Sequence, residues 1–446
     1  MKKSKPKQFQ RPRGTHDILP ELEFYWKLAH ERADELSSFY GFRRIATPHF
    51  EDTDLFYHSV GALTDIVEKQ MYSFKTRGGD ALTRRPEGTA PIVRAYIENG
   101  MLSEPHPVKL WYEGSFFRHE SPQRGRFREF RQWGMEVFGE EGPVVEAEIM
   151  QIMHAFFTEV GIADVYVELN SIGCIECRSV IKSAVMGYYR NRSRRLCINC
   201  RRRIKENYLR IFDCKEEQCI ELRENAPQMI EHICGTCKAH FKALLEFMEE
   251  IRVPYSLNSY LVRGLDYYTR TVFEFFTGKP SRGNGDEKKQ DDESNDAAGK
   301  LPLAIASGGR YDGLVELLGG RPTPAAGGAV GLDRIIEIMR QQKVKLPHEK
   351  AAKIYLAQLG DLAKRKSLTI VEQFRSAGIP IRATLAKDSI KSQFTLAGKA
   401  GAEYVLVFGQ KEALDGEIII REMNSGIQET VPLTKLIDSV RRRLKK

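Results

Sequence analysis

All eight cysteines of this 446-residue chain fall between Cys174 and Cys237. Their spacings are Cys174-x2-Cys177, Cys197-x2-Cys200, Cys214-x4-Cys219 and Cys234-x2-Cys237. A secreted, disulfide-stapled protein would spread its cysteines, and a cytosolic protein should not rely on disulfides. The clustering therefore points to metal. Four close pairs supply eight thiolates, the number that two closed tetrahedral zinc sites require. The plainer reading is a set of small buried hydrophobes, since free cysteine is readily buried. Spacing does not decide which pairs combine, and His232 or His240 could replace a thiolate.

The length suggests two or three domains. Lys+Arg 69 against Asp+Glu 60 gives a net charge of +9, compatible with a nucleic-acid partner without demanding one. No apolar run approaches bilayer length. The basic N-terminus, MKKSKPKQFQ, lacks the apolar core of a signal peptide, so a cytoplasmic location is expected.

Periodicity predicts a helix over 21–40, ended by Gly41, then an edge strand interrupted by Pro48. Strands are predicted at 108–118 and 128–138, joined by a basic loop, then a helix over 144–160 and a strand at 165–171. From Gly173 to about Arg252 the chain turns cysteine-rich, basic and helical, as a separate insertion would. Strand signals return in SYLVRGLDYYTRTVFEFFTG, and 279–300 has almost no apolar residues and reads as a disordered loop. LPLAIASGGRYDG re-enters the sheet, and GGAVGLDRIIEIMRQQ runs into a helix. After Lys350, strands alternate with helices, which predicts a small α/β domain with a largely parallel sheet.

The motifs carry chemistry of two kinds. In TRRPEGTAPIVRAY, Glu87 and Thr89 occupy a Pro–Gly turn before a helix, where they could bind an ammonium group or cap the helix through Thr89. In RHESPQRGRFREFRQWGMEVFG, alternation puts Arg126, Arg128 and Phe130 on one face, with Arg118 ending the preceding strand. Guanidinium groups suit phosphate, being planar, always charged and bidentate, although a lone basic strand is more often just solvated. Gln132 and Glu136 continue the face of Phe130, which is costly unless they meet a ligand or each other. LVRGLDYYTRTVFEF again combines an arginine, an acid and two tyrosines. ASGGRYDGLV would let backbone approach a ligand closely, but it is neither a dinucleotide fingerprint nor a P-loop.

Together and in this order, these segments resemble the histidyl-tRNA synthetases, a class II aminoacyl-tRNA synthetase family. The resemblance spans the chain except the basic tail and the 279–300 loop. Pro48 matches the dimer-forming motif 1, residues 117–139 match motif 2, and GLDR matches motif 3, where the family more often has GLER. RPEGT and LVRGLDYY match the two histidine signatures. GGAVG stands where a bulkier run is more typical.

The resemblance implies an α+β catalytic domain on an antiparallel sheet, a helical Cys-rich insertion and a C-terminal α/β anticodon-binding domain. The expected divisions are 1–172, 173–252, 253–345 and 350–446. It implies that Glu87 and Thr89 bind the α-amino group of histidine. Glu136 and Tyr268 would hydrogen-bond the imidazole, Gln132 would meet the carboxylate, and Tyr267 and Tyr311 would line the pocket. Arg118 and Arg263 would flank the α-phosphate of ATP, and Arg126 and Arg334 would hold the β- and γ-phosphates. Phe130 would stack on adenine, oriented by Glu120, while Gln123 and Arg124 in the motif 2 loop would meet the tRNA acceptor end. ATP with Mg2+, histidine and tRNA-His are the implied substrates, and a homodimer the implied assembly. Arg128 and Arg131 find no ligand in this scheme and are expected to be solvated.

Carboxylate attack on the α-phosphate builds negative charge that opposed arginines stabilise without a general base. Two other readings compete. A non-catalytic paralogue, such as the regulatory subunit of ATP phosphoribosyltransferase, would tend to lose the signatures and the C-terminal domain, which are all here. A zinc-containing RNA-binding module leaves Glu87, Gln132, Glu136 and the tyrosine pair unexplained. The basic run NRSRRLCINCRRRIKENYLR is expected either to be a solvated face or to clamp tRNA. If it is a clamp, chelation should weaken tRNA affinity and spare histidine activation.

Overall fold

A computed structural model describes residues 8–121, 125–278, 304–345 and 352–444, which form two compact units divided at Leu346/Pro347. The expected loop at 279–300, and the expected tRNA contacts Gln123 and Arg124, lie outside the described residues.

The first unit is built on an eight-stranded sheet. Its strands are β1 (Arg43–Arg44), β2 (Val108–Phe117), β3 (Glu129–Phe138), β4 (Val165–Ser171), β5 (Tyr255–Leu257), β6 (Thr269–Thr277), β7 (Ala306–Arg310) and β8 (Ala325–Gly331). They lie in the order β1-β2-β3-β8-β7-β6-β4-β5, antiparallel throughout except for the two edge pairs, β1 with β2 and β4 with β5. The expected antiparallel catalytic sheet is thus present. The long strand predicted from SYLVRGLDYYTRTVFEFFTG is shorter, because residues 259–268 leave the ladder and pair only from Thr269 onward.

The principal helices of this unit are α1 (Pro20–Phe39), α2 (Thr89–Glu98), α3 (Val144–Glu159), α4 (Ile175–Arg190), α5 (Ile198–Glu206), α6 (Gly235–Ile251) and α7 (Leu332–Gln341). Pro20 starts α1 at a first-turn position where its missing N–H costs nothing, and Gly41 in the left-handed region (φ 78°) turns the chain after it.

Strand alternation splits the core in two. Trp133, Met135 and Val137 of β3 face a cluster made with α1, α3, α6 and α7. Phe138 and Phe130 of the same strand face the other cluster, with Tyr112, Phe116, Val272, Tyr267, Tyr268 and Tyr311. The cysteine-rich segment joins both: Ile181 and Val185 of α4 enter the second cluster, and Phe241, Leu244 and Met248 of α6 enter the first. A buried charge group reinforces this junction. Arg310 donates to both Glu146 carboxylate oxygens at 2.9 and 2.6 Å, and His240 of α6 lies 2.7 Å from the same carboxylate. Burial alone would raise the Glu146 pKa, but these partners hold it down at about 2. His240 is therefore committed to Glu146 and not to a cysteine cluster.

The second unit carries a five-stranded sheet. Strand β9 (Ile354–Gln358) lies between β10 (Ile381–Ala383) and β11 (Tyr404–Phe408), parallel to both. β12 (Glu417–Glu422) and β13 (Gln428–Pro432) then add antiparallel. The expected largely parallel sheet is therefore mixed. The reason lies in EIIIREM and QETVP, which are joined by a short turn at Asn424–Ile427 and form a hairpin instead of another crossover.

Candidate active site

The turn before α2 brings a carboxylate to a helix N-terminus. Glu87 accepts from the backbone N–H of Thr89 at 2.7 Å and of Ala90 at 2.9 Å, satisfying two donors that a helix start leaves open. The cap is thus the Glu87 carboxylate, not the Thr89 hydroxyl. Thr89 is released to reach across to the sheet, where its hydroxyl donates to Glu136 Oε1 at 2.8 Å.

Glu136 sits in the middle of β3, fully enclosed. Besides Thr89, it accepts from Tyr112 at 3.4 Å and from the Tyr311 hydroxyl. Burial, with Glu87 adding repulsion, lifts its pKa to about 8 against the pull of those hydroxyls. Glu87 is raised as well, again by burial first. Tyr267 donates to Glu87 at 3.4 Å, and its ring lies 4.7 Å from that of Tyr268 and 5.6 Å from that of Tyr311. The sequence-predicted Glu87, Thr89, Glu136, Tyr267, Tyr268 and Tyr311 are therefore brought together in one enclosure. Tyr112 belongs there too and was not anticipated, although alternation in 108–118 could have placed it opposite the Glu136 face.

Room for that acid is made by glycine. Gly327 of β8 pairs with Glu136, and a Cβ on it would stand 1.7 Å from Glu136 Oε2. Gly88 and Gly134 would each place a Cβ within 2.4 Å of the Tyr112 ring. The small residues of GGAVG are thus the counterpart of a carboxylate on the neighbouring strand.

Cationic groups adjoin this acidic enclosure. Arg118 donates from Nε to the carbonyl of Pro86 at 2.7 Å, beside Glu87, and lies 5.2 Å over the Phe130 ring. Arg263 pairs with Glu274, donates to Ser307 Oγ at 2.6 Å, and lies 5.9 Å over Tyr268. Glu120 stands 3.9 Å from both Arg118 and Arg126. Arg334, in the first turn of α7, donates from Nε to the carbonyl of Gly125 at 3.2 Å. Burial, then repulsion from Arg126, lowers its pKa to about 10, and Arg118 repels it further. This group needs an anion. Gln132 is half-buried, and its side-chain amide has no hydrogen-bonding partner among the described residues.

Arg128 and Arg131 are not simply solvated, as expected from the sequence. Arg128 spans three segments: its N–H donates to Gly14 at 2.7 Å, its carbonyl accepts from Arg118, and its Nε holds the carbonyl of Glu120 at 3.2 Å. The Arg131 guanidinium lies 5.2 Å over Trp26, and its N–H donates to Asp333 Oδ2 at 2.5 Å. Asp333, the acid of GLDR, also meets His16 Nε2 at 3.2 Å. It therefore ties the N-terminal segment, β3 and α7 together behind Arg334.

The cysteines resolve into two groups of four. Cys174, Cys177, Cys234 and Cys237 form one, and Cys197, Cys200, Cys214 and Cys219 the other, with all sulfurs of a group within 4.8 Å of one another. Observed separations include 3.5 Å for Cys174–Cys177, 3.9 Å for Cys177–Cys237 and 3.8 Å for Cys197–Cys214. A tetrahedron with metal–sulfur bonds of about 2.3 Å has sulfur–sulfur edges of roughly 3.8 Å, whereas a disulfide brings sulfurs to about 2.05 Å. The donor set and its size fit a zinc-like ion. Cys174, Cys197 and Cys234 each stand at a helix start, where Sγ of Cys197 and Cys234 accepts from an N–H three residues on. That bond brings the Cys234 thiol to about 7, while burial lifts Cys219 to about 11. A divalent cation would remove the cost of ionising such crowded thiols.

The histidyl-tRNA synthetase family model matches residues 14–192 and 215–335, and an anticodon-binding-domain model matches 353–443. The chain is 42% identical over 436 residues to a histidine–tRNA ligase of Dehalococcoides mccartyi, covering 98% of this chain and 100% of the relative. Apo histidyl-tRNA synthetase of S. aureus superposes with a TM-score of 0.78 at 30% identity, over 97% of this chain and 99% of that one. A Bacillus halodurans protein described as an ATP phosphoribosyltransferase regulatory subunit/histidyl-tRNA synthetase shares the fold at 21% identity and TM-score 0.63, covering 91% and 100%.

Proposed function

The chain belongs to the histidyl-tRNA synthetase family, and from that premise we propose how its residues divide the reaction. It is a histidine–tRNA ligase: it activates histidine with ATP and transfers it to tRNA-His. Likeness to the regulatory-type relative at 21% identity extends to the fold alone.

The observation that carries the substrate assignment is electrostatic. Glu87 and Glu136 are buried side by side, held by hydroxyls and backbone N–H groups, and both are raised in pKa. An amino acid with an ammonium group and a basic ring supplies the missing positive charge and donors. Glu87 with Thr89 takes the α-ammonium. Glu136 takes an imidazole N–H, with Tyr268 at the other ring nitrogen and Tyr267, Tyr311 and Tyr112 closing the walls. Leucine or phenylalanine would still bring an α-ammonium to Glu87 but would leave the buried Glu136 without a donor, a strong basis for rejection. Gln132 orients the reacting carboxylate.

ATP supplies the complementary charge. Arg118 and Arg263 flank the α-phosphate, so the attacking carboxylate oxygen and the leaving pyrophosphate meet guanidiniums already in place. Arg126 and Arg334 hold the β- and γ-phosphates, whose charge offsets the burial and the Arg126 repulsion that depress Arg334. Phe130 stacks on adenine beside Glu120. Mg2+ arrives with ATP, and Glu120 and Glu274 are the acids among these arginines that fit it. The second step passes histidine to the tRNA 3′ end, with Gln123 and Arg124 at the acceptor stem and the 350–446 unit at the anticodon. Pro48 lies in the segment assigned to a homodimer contact, and the cytoplasm is the expected compartment. Among the described residues no helix is long and apolar enough to cross a membrane. The two cysteine groups each hold one structural Zn2+.

ATP–pyrophosphate exchange with each amino acid in turn tests the assignment. Exchange with histidine alone is expected, and no exchange with any amino acid would overturn it.

A further inference from the structure

We infer that the cysteine-rich segment is a metal-fixed brace for the loop 263–268, so that metal occupancy sets histidine affinity through Arg178, Asn207 and Arg210. This rests on the assignments of Tyr267 and Tyr268 to the histidine pocket and of metal to the two cysteine groups.

The loop Arg263–Tyr268 carries the tyrosine pair but forms no strand, so its carbonyls lack ladder partners. Those of Gly264, Asp266 and Tyr268 are satisfied from the cysteine-rich segment instead. Arg178 donates from Nη2 to the carbonyl of Asp266 at 3.2 Å and to that of Tyr268. Arg210, itself buried, donates to the carbonyl of Gly264 at 2.9 Å. Asn207 donates to Asp266 Oδ1 at 2.7 Å.

Each of these residues is placed by a cysteine group. Arg178 follows Cys177 in the first turn of α4, so the first group fixes its direction. Asn207 and Arg210 lie between Cys200 and Cys214, two ligands of the second group. Gly173, in the left-handed region (φ 74°), admits the close turn, since a Cβ there would stand 2.5 Å from Cys177 Cβ. A segment this small draws much of its order from its staples, so losing the metal frees the three side chains together.

The same contacts argue against the basic run as chiefly a tRNA clamp. Arg202 and Arg203 pair with Glu68 and Asp65 at 2.9 and 3.0 Å, Arg201 caps carbonyls of Leu196 and Arg194, and Arg210 faces the loop. The family match omits residues 193–214, which include Cys197, Cys200, Cys214, Asn207 and Arg210, so this half of the brace is additional to the shared pattern.

The test uses the full chain. Zn2+ released by a mercurial is counted with a chromogenic chelator, histidine binding is measured by calorimetry without ATP, and exchange kinetics give both KM values. Stripping the metal should weaken histidine binding at least about tenfold, the size expected for losing hydrogen bonds to charged donors, while ATP KM moves no more than about twofold, because Arg263 is anchored separately by Glu274 and Ser307. Arg178→Gln and Arg210→Gln should keep both metal equivalents and raise histidine KM roughly tenfold, with kcat little changed. Arg178→Lys should recover part of the loss, because an ammonium can reach one carbonyl where the guanidinium holds two. Should stripping unfold the chain, the arginine variants decide. Unchanged histidine affinity in metal-retaining Arg178→Gln and Arg210→Gln overturns the brace. A protein that releases no metal overturns the metal assignment, and the two variants then still report on the contacts alone.

Discussion

The Thr89 hydroxyl donates to Glu136 Oε1 at 2.8 Å, joining the first residue of α2 to the middle of β3 across 47 residues of chain. The bond works only because Glu87 performs the capping that a threonine in this position would otherwise perform. Glu87 and Glu136, far apart in the sequence, thus share one enclosure, and both carboxyls are raised in pKa by burial there.

Glu136→Gln should abolish discrimination for the imidazole and lower kcat/KM for histidine on the order of a hundredfold, as expected for a buried charged hydrogen-bond partner. Stability gives a separate check. A carboxyl whose folded pKa is about 8 binds its proton more tightly than in the unfolded chain, so it costs stability progressively as pH rises from the unfolded value towards 8. Thermal unfolding of Glu136→Gln should therefore match the parent near pH 5 and exceed it at pH 9. Parallel pH profiles would show that Glu136 is ionised throughout.

Arg263→Ala should eliminate adenylate formation, by about a thousandfold or more, while histidine still binds in calorimetry. It also leaves the half-buried Glu274 without its partner, so a loss of about 1–2 kcal/mol in folding stability is expected. Normal exchange by this variant would refute the role assigned to Arg263.

Gly327→Ala places a methyl where Glu136 Oε2 already stands. The carboxylate must swing away or β8 must shift, at a cost of about 1–3 kcal/mol in stability. Histidine KM should rise far more than ATP KM. Equal effects on the two would mean that the sheet, rather than the acid, gave way.

His16→Ala removes one of the two groups meeting Asp333 and loosens the tie behind Arg334. ATP KM should rise several-fold with histidine KM unchanged, since the contact lies on the phosphate side. Steady-state kinetics against each substrate separates the outcomes, and a histidine-side effect would contradict this placement.

Much of the site was legible in the chain. Alternation in VKLWYEGSFF and EFRQWGMEVF set strands β2 and β3 to within a residue of their ends, and RPEGT and LVRGLDYY carried the family. Where the reading fell short, the missing contact was distant in sequence. Arg131 looked solvated because Trp26 and Asp333 are far along the chain. The second domain looked parallel because a strand's direction is a matter of its neighbour, which periodicity does not identify.

The cysteines draw the same line. Their number and spacing determined, without any fold, that eight thiolates lie close in pairs and suffice for two tetrahedral sites. Only the tertiary structure decided that Cys174–Cys177 joins Cys234–Cys237 while Cys197–Cys200 joins Cys214 and Cys219. The physical reason is that spacing reports neighbours within a turn or two, whereas the helix starts of α4 and α6 meet only once the chain has folded around them. The loop 263–268 is held by the residues beside those thiolates for the same reason, and no local pattern announces it.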